Sequence, residues 1–180
     1  MENFSINCNG RLVEFNRPKL MGILNITPDS FSDGGKFFDE KNALLHAERL
    51  IEEGAEILDV GAQSTRPNAE LISADGEIKR LGNIVSEIKK NFPDILISID
   101  TFYSEVVRFG YDEGMEIVND ISGGQYDPEM FYTVAEVGLP YVLMHVNPTY
   151  KTMHEKIIHD DIILNVNRYF SYKSIELKNA

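Results

Sequence analysis

Apolar and polar positions along this chain fall into a repeating unit: a short apolar run, a few turn residues, then a stretch whose apolar positions recur three and four apart. Runs of the first kind occupy 20–25, 56–60, 95–99, 115–118 and 141–144, and each reads as a buried strand. The stretches between them predict helices over about 42–53, 76–90 and 104–112, then from Asp127-Pro128 to about Val137, and finally over about 160–177. Gly54, Gly114 and Gly138 stand where three of those helices stop. A helix after every strand predicts a parallel sheet with right-handed crossovers. Ahead of the repeat, residues 3–17 alternate around Asn9-Gly10, the pattern of a two-residue β-hairpin, expected to pack over one end of the domain.

The fold class is therefore α/β. Periodicity does not separate a closed (β/α)8 barrel from an open doubly wound sheet. However, Asn25, Asp100, Asn119 and His145 all fall at the carboxyl ends of predicted strands, facing one rim, as barrel sites do. No G-x-G-x-x-G motif follows any strand. A complete TIM barrel has eight strands and ~250 residues, and only about five strand–helix units are legible here. The expectation is a single barrel domain over 1–180, with the hairpin at its start and strands six to eight missing at its carboxyl end. A sheet cut there would expose two apolar edges.

Composition narrows the partners. The formal charge of −12 argues against nucleic acid, which needs clustered Lys and Arg. No run approaches the ~18 apolar residues of a membrane span, and the amino terminus lacks a basic region and an apolar core. A cytoplasmic protein without a membrane partner is the expectation. The single cysteine, Cys8, has no intramolecular disulfide partner and reads as a small strand residue. Any anionic ligand would have to be met by placed cations or a metal.

The candidate chemistry lies where strands end. M-G-I-L-N-I-T-P-D-S-F-S-D-G-G at 21–35 is a buried strand opening into a polar loop around Phe31. It is followed in order by L-D-V-G-A-Q-S-T-R-P at 58–67, I-S-I-D-T at 97–101, I-V-N-D-I-S-G-G at 117–124 and P-Y-V-L-M-H at 140–145. From the residues alone, Asn25 reads either as a cap on its turn or as a neutral oxygen ligand for a hard cation. Asp100 ends an apolar run, so its carboxylate must be hydrogen-bonded or sit in a polar pocket; one reading has it cap the next helix through Thr101 or Ser104. Asp120 reads as a support for its own loop, and Asp59 as a brace for Asn25.

Together these motifs resemble the dihydropteroate synthase family over about residues 19–170. The resemblance implies a (β/α)8 barrel that condenses 6-hydroxymethyl-7,8-dihydropterin diphosphate with 4-aminobenzoate to 7,8-dihydropteroate and pyrophosphate, a step of folate synthesis. It implies Mg2+ bound at Asn25 and a pterin contacted by Asp100, Asn119 and Met144. Thr65 would lie beside the pyrophosphate. The two loops would close over 4-aminobenzoate, Phe31 covering it while Asp33 and Arg66 order the closed state, with Asp100, Arg66 and Asp33 as the catalytic set. A homodimer is among the arrangements the resemblance allows.

Ala62, Gln63 and Asn68 depart from the family pattern G-G-E-S-T-R-P-G, and a glutamate's charge is lost at Gln63. The family's sixth-strand aspartate, Ser-Arg-Lys lysine and Arg-x-His anion site have no counterpart after His145. Two other readings share the strand-end residues: a non-catalytic pterin-binding paralogue or fragment, and a pterin-dependent methyltransferase domain. His145 is not taken as a general base, and His46, His154 and His159 read as surface residues.

Overall fold

The computed structural model describes residues 3–26, 36–63, 71–146 and 160–180. Asn9 and Gly10 both take left-handed backbone angles, with φ of 50° and 83°, as a type I′ turn requires. The turn joins β1 (Phe4–Cys8) to β2 (Arg11–Phe15), antiparallel, with Phe4 opposite Phe15 and Cys8 opposite Arg11. The two phenylalanine rings stack with centroids 5.0 Å apart.

Five parallel strands follow: β3 (Met21–Asn25), β4 (Ile57–Gly61), β5 (Leu96–Asp100), β6 (Ile117–Asp120) and β7 (Tyr141–Leu143). They pair in the order of the chain, β3-β4-β5-β6-β7. A doubly wound sheet reverses its strand order at a switch point, whereas a barrel wall adds each strand beside the last. The helices are α1 (Lys36–Glu52), α2 (Ala74–Leu81), α3 (Ile84–Asn91), α4 (Ser104–Glu113), α5 (Met130–Val137) and α6 (Ile162–Asn179).

Alternation divides the sheet into two unlike faces. Leu24, Leu58, Val60, Ile97, Ile99 and Val118 point to the helices, where they join Ala47, Val85, Ile88, Val107 and Met130 in one core. Leu58, Ile97 and Ile99 are 0%, 0% and 1% exposed, and burial of each contributes roughly 1.5–3 kcal/mol. Helix α4 lies unusually close to the sheet, because a Cβ on Gly110 would collide with Ile99 and Met115. On the opposite face Ile57, Leu96 and Ile117, the first residues of their strands, pack against Cys8 and Val13 of the hairpin. The hairpin thus closes the amino-terminal end of the inner face. At the two sheet edges that face is open: Ile23 and Val142 are 62% and 43% exposed.

Two boundaries differ from expectation for physical reasons. The single helix expected over 76–90 is two, because Gly82 adopts φ 52°, ψ −127°, a conformation outside the helical region. The Asp127-Pro128 pair was expected to cap α5, yet α5 begins only at Met130. The two carboxylate oxygens of Asp127 divide their work: Oδ1 accepts from Glu129 N in its own turn and Oδ2 accepts from Ser104 N at the start of α4. Helix α1 begins at Lys36, ahead of the expected 42.

Candidate functional site

The strand register places Asn25 beside Gly61, Gly61 beside Asp100 and Asp100 beside Asn119, so these residues share one level and one face of the sheet. Each stands at or next to the carboxyl end of its strand because its apolar run stops there. One step deeper on the same face lie Asp59 and Ser98, buried at 6% and 0% exposure. Below them come Ile57 and Leu96 under the hairpin, while Ile117 stands level with Ser98 on the next strand. The inner face therefore grades from apolar to polar along five residues of strand.

Asn119 is fixed by donating from Nδ2 to Asp59 Oδ2 at 3.0 Å. Asp59 therefore braces Asn119, two strands away, and not Asn25 as expected. The other Asp59 oxygen, Oδ1, is buried without a hydrogen-bond partner among the described residues. Gly61 keeps the neighbouring space open: a Cβ there would lie 3.4 Å from Asn25 Oδ1, 3.5 Å from Asp100 Cβ and 3.7 Å from Asp100 Oδ2. Asn25 and Asp100 thus converge over a glycine, with room between them for a ligand atom.

Asp100 makes no side-chain hydrogen bond among the described residues. The cap on the next helix, the alternative role read for Asp100, comes instead from Asp127. Burial, followed by the negative charges of Asp59, Glu77 and Asp120, raises its carboxyl to about 7. A carboxylate held at a polar rim with no donor among the described residues is available to a ligand that brings its own N–H groups, and it can take or release a proton near neutrality.

Asp120 supports its loop as expected. It accepts from Ser122 N at 2.7 Å, Gly124 N at 2.9 Å and the Tyr141 hydroxyl at 2.6 Å. Met144 lies two residues beyond Val142, the partner of Asn119, and its carbonyl accepts from the Tyr169 hydroxyl at 3.0 Å. The His145 ring stands edge-on to Tyr169 with centroids 4.8 Å apart, so α6 holds the end of β7. His46 is exposed on α1, as read from sequence. Phe31, Asp33, Thr65, Arg66, Asn68, His154 and His159 lie outside the described residues.

The base of the second loop is described, and two of the three departures from the family pattern, Ala62 and Gln63, lie in it. Gln63 is buried and its Oε1 accepts from Ile72 N at 3.1 Å, tying the residue before segment 64–70 to one just after it. The Ala62 carbonyl accepts from Arg80 Nη1 at 3.0 Å. A neutral amide therefore makes the closing hydrogen bond where the family carries a carboxylate.

Sequence reasoning missed Glu77. It is fully buried on α2, its Oε2 accepts from the Thr101 hydroxyl at 2.7 Å, and burial raises its carboxyl to about 7 against the lowering effects of Thr101 and Arg80. A signal was present: Glu77 lies four residues before Leu81 and seven before Ile84, on the apolar stripe itself.

A family profile described as pterin binding enzyme matches residues 21–180. Dihydropteroate synthase of Streptococcus pyogenes serotype M18 is 48% identical over 136 residues, covering 76% of this chain and 51% of that protein. Its counterpart in Escherichia coli is 43% identical over 161 residues, covering 89% and 56%. Among solved structures, Xanthomonas albilineans dihydropteroate synthase with 4-aminobenzoic acid superposes with a TM-score of 0.85 at 33% identity, covering 97% of this chain and 61% of that one. Burkholderia cenocepacia dihydropteroate synthase complexed with 7,8-dihydropteroate gives 0.81 at 30% identity, covering 97% and 58%. The chain spans about half the length of the curated relatives it matches. Its sheet and helices are those of a TIM barrel, carried here as five consecutive β/α units. Because the profile runs from the first residue of β3 to the last residue of the sequence, the chain belongs to the pterin binding enzyme family.

Proposed function

We propose that this chain carries the pterin-binding side of a dihydropteroate synthase site, at which 4-aminobenzoate displaces pyrophosphate from 6-hydroxymethyl-7,8-dihydropterin diphosphate. The observation that supports this reading most strongly is the level shared by Asn25, Gly61, Asp100 and Asn119, with Asn119 already oriented by Asp59. A pterin presents a planar edge of ring N–H and amino donors. Asp100 offers two acceptor oxygens without a competing donor among the described residues, and Asn119 offers its amide oxygen, since its Nδ2 is spent on Asp59. Once ionised, Asp100 also stabilises positive charge developing on the ring as the diphosphate leaves.

Magnesium belongs to this reading, and the donor set fits it. Asn25 supplies one neutral carbonyl oxygen at an open strand end, and a hard cation of this kind takes its remaining ligands from water and phosphate. When bound, the ion would add positive charge at the departing pyrophosphate. Thr65 and Arg66 would meet the same phosphates, Met144 would flank the pterin, and Phe31 and Asp33 would help enclose 4-aminobenzoate. The ligands of the two solved relatives, 4-aminobenzoic acid and 7,8-dihydropteroate, support this assignment.

The test is calorimetric titration of the gene's full product with pterin diphosphate, with and without magnesium, followed by pyrophosphate release on adding 4-aminobenzoate. Magnesium-dependent pterin binding and turnover are expected. Binding without turnover would instead favour a non-catalytic pterin-binding protein. Absence of binding would defeat the assignment.

A further inference from the structure

Glu77 is a buried ionisable group with no part in the reaction as set out above. Its side chain is 0% exposed, and Oε1 has no hydrogen-bond partner among the described residues. Burying a carboxyl group this way is costly unless it is held neutral or is needed where it stands. Its side-chain hydrogen-bond partner among the described residues is informative: the Thr101 hydroxyl donates to Oε2 at 2.7 Å, and Thr101 follows Asp100 directly in the chain. The same hydroxyl oxygen accepts from Tyr103 N at 3.2 Å, and Thr101 N donates to the Asn119 carbonyl at 3.0 Å. Thr101 is thereby held on three sides.

The network reaches the second loop as well. The Tyr103 hydroxyl donates to the Ile72 carbonyl at 2.7 Å, and Ile72 N donates to Gln63 Oε1 at 3.1 Å. Glu77 itself begins from the same stem, since its N–H donates to the carbonyl of Ser73, whose Oγ accepts from Gly76 N. One continuous set of hydrogen bonds runs from Gln63 through Ile72, Tyr103 and Thr101 to Glu77. It joins the base of segment 64–70 to the strand end that carries Asp100.

We propose that Glu77 is a positioning residue for Asp100: by accepting from Thr101 it locks the carboxyl end of β5 against α2, so that the Asp100 carboxylate and the base of the second loop are set as one unit. The proposal rests on the pterin-site reading only for what Asp100 touches. The positioning itself is a property of the free protein. Both carboxyl groups are raised to about 7, and each faces named charges: Asp59, Asp120 and Glu77 for Asp100, and Arg80 for Glu77. Removing the Glu77 charge must therefore ease ionisation of Asp100.

The experiment follows the Asp100 carboxyl carbon by NMR against pH in the ligand-free full gene product, for the unmodified protein and E77Q, alongside pterin diphosphate affinity. The amide introduced by E77Q keeps an oxygen for Thr101 and loses the charge. Affinity in E77Q is expected to stay within about twofold, while the Asp100 midpoint falls by about one pH unit. E77A removes the acceptor, and affinity is expected to fall about tenfold. Should E77A fail to fold, T101V removes the same hydrogen bond at nearly constant volume and is expected to give the same loss. An Asp100 midpoint unmoved by E77Q, or full affinity in T101V, would overturn the proposal. If the unmodified protein binds no pterin and T101V still displaces the Asp100 carboxyl resonance, the proposed function fails and the positioning role stands.

Discussion

The two ends of the inner sheet face are built from the same strands to opposite specifications. At the amino-terminal end Ile57, Leu96 and Ile117 are 5%, 3% and 3% exposed beneath the hairpin. Four residues along β4 and β5, the positions are Gly61 and Asp100; two along β6, Asn119. The closed end supplies dry apolar packing and no chemistry. The open end accepts a raised carboxyl group and a buried carboxylate oxygen without a hydrogen-bond partner among the described residues, each of which costs stability. The contrast teaches that a barrel strand can separate the two demands by position alone, since alternate residues share a face and only distance along the strand divides them.

Four changes test that separation. The largest effect is expected for D100N at the open end: turnover of the full gene product should fall about 100- to 1000-fold while thermal stability at neutral pH holds or rises. Steady-state pyrophosphate release and a melting curve check both halves. L96A at the closed end should do the reverse, costing ~2–4 kcal/mol in urea unfolding while pterin affinity per folded molecule is kept. Loss of affinity in folded L96A would mean that the two ends are not separable.

A pH series is smaller in effect and tests the polar layer directly. Asp100 and Glu77 are raised to about 7, with burial the largest cause for each, so between about pH 5 and pH 7 the folded protein binds more protons than the unfolded chain. Their contribution therefore weakens folding as pH rises through that window. Melting temperature should drop from about pH 5 to about pH 8, and less steeply in D100N. The smallest effect is expected for G61A. The added methyl would stand in ordinary van der Waals contact, 3.4 Å from Asn25 Oδ1, filling space between Asn25 and Asp100, and should weaken magnesium-dependent pterin binding several-fold without altering metal-free stability by more than ~1 kcal/mol.

What could be read from sequence was whatever is local. Asn9-Gly10 dictates its own hairpin, and an apolar run stopping at Asn25, Asp100 or Asn119 marks its own strand end. The break between α2 and α3 was hidden because Leu81, Ile84, Val85 and Ile88 keep helical spacing across Gly82, both helices lying on one core. Asp59 was assigned the wrong partner because its contact with Asn119 spans 60 residues and depends on the register of three strands. Asp127 was read as serving its own helix for a similar reason: nothing nearby in the chain reveals that Ser104 lies beside it.

That second bond of Asp127 has a consequence for how the wall comes apart. The first amide of α4, the helix that follows Asp100, is satisfied by a side chain from the next β/α unit. These two neighbouring units are therefore clipped together like overlapping tiles, the later one holding the leading edge of the one before. If the segment bearing Asp127 opens, α4 loses its cap and the stretch after Asp100 loosens with it. Local opening of the segment between β6 and α5 should then appear in hydrogen exchange as a shared event with the centre of the site, so that this part of the barrel unfolds as one cooperative block.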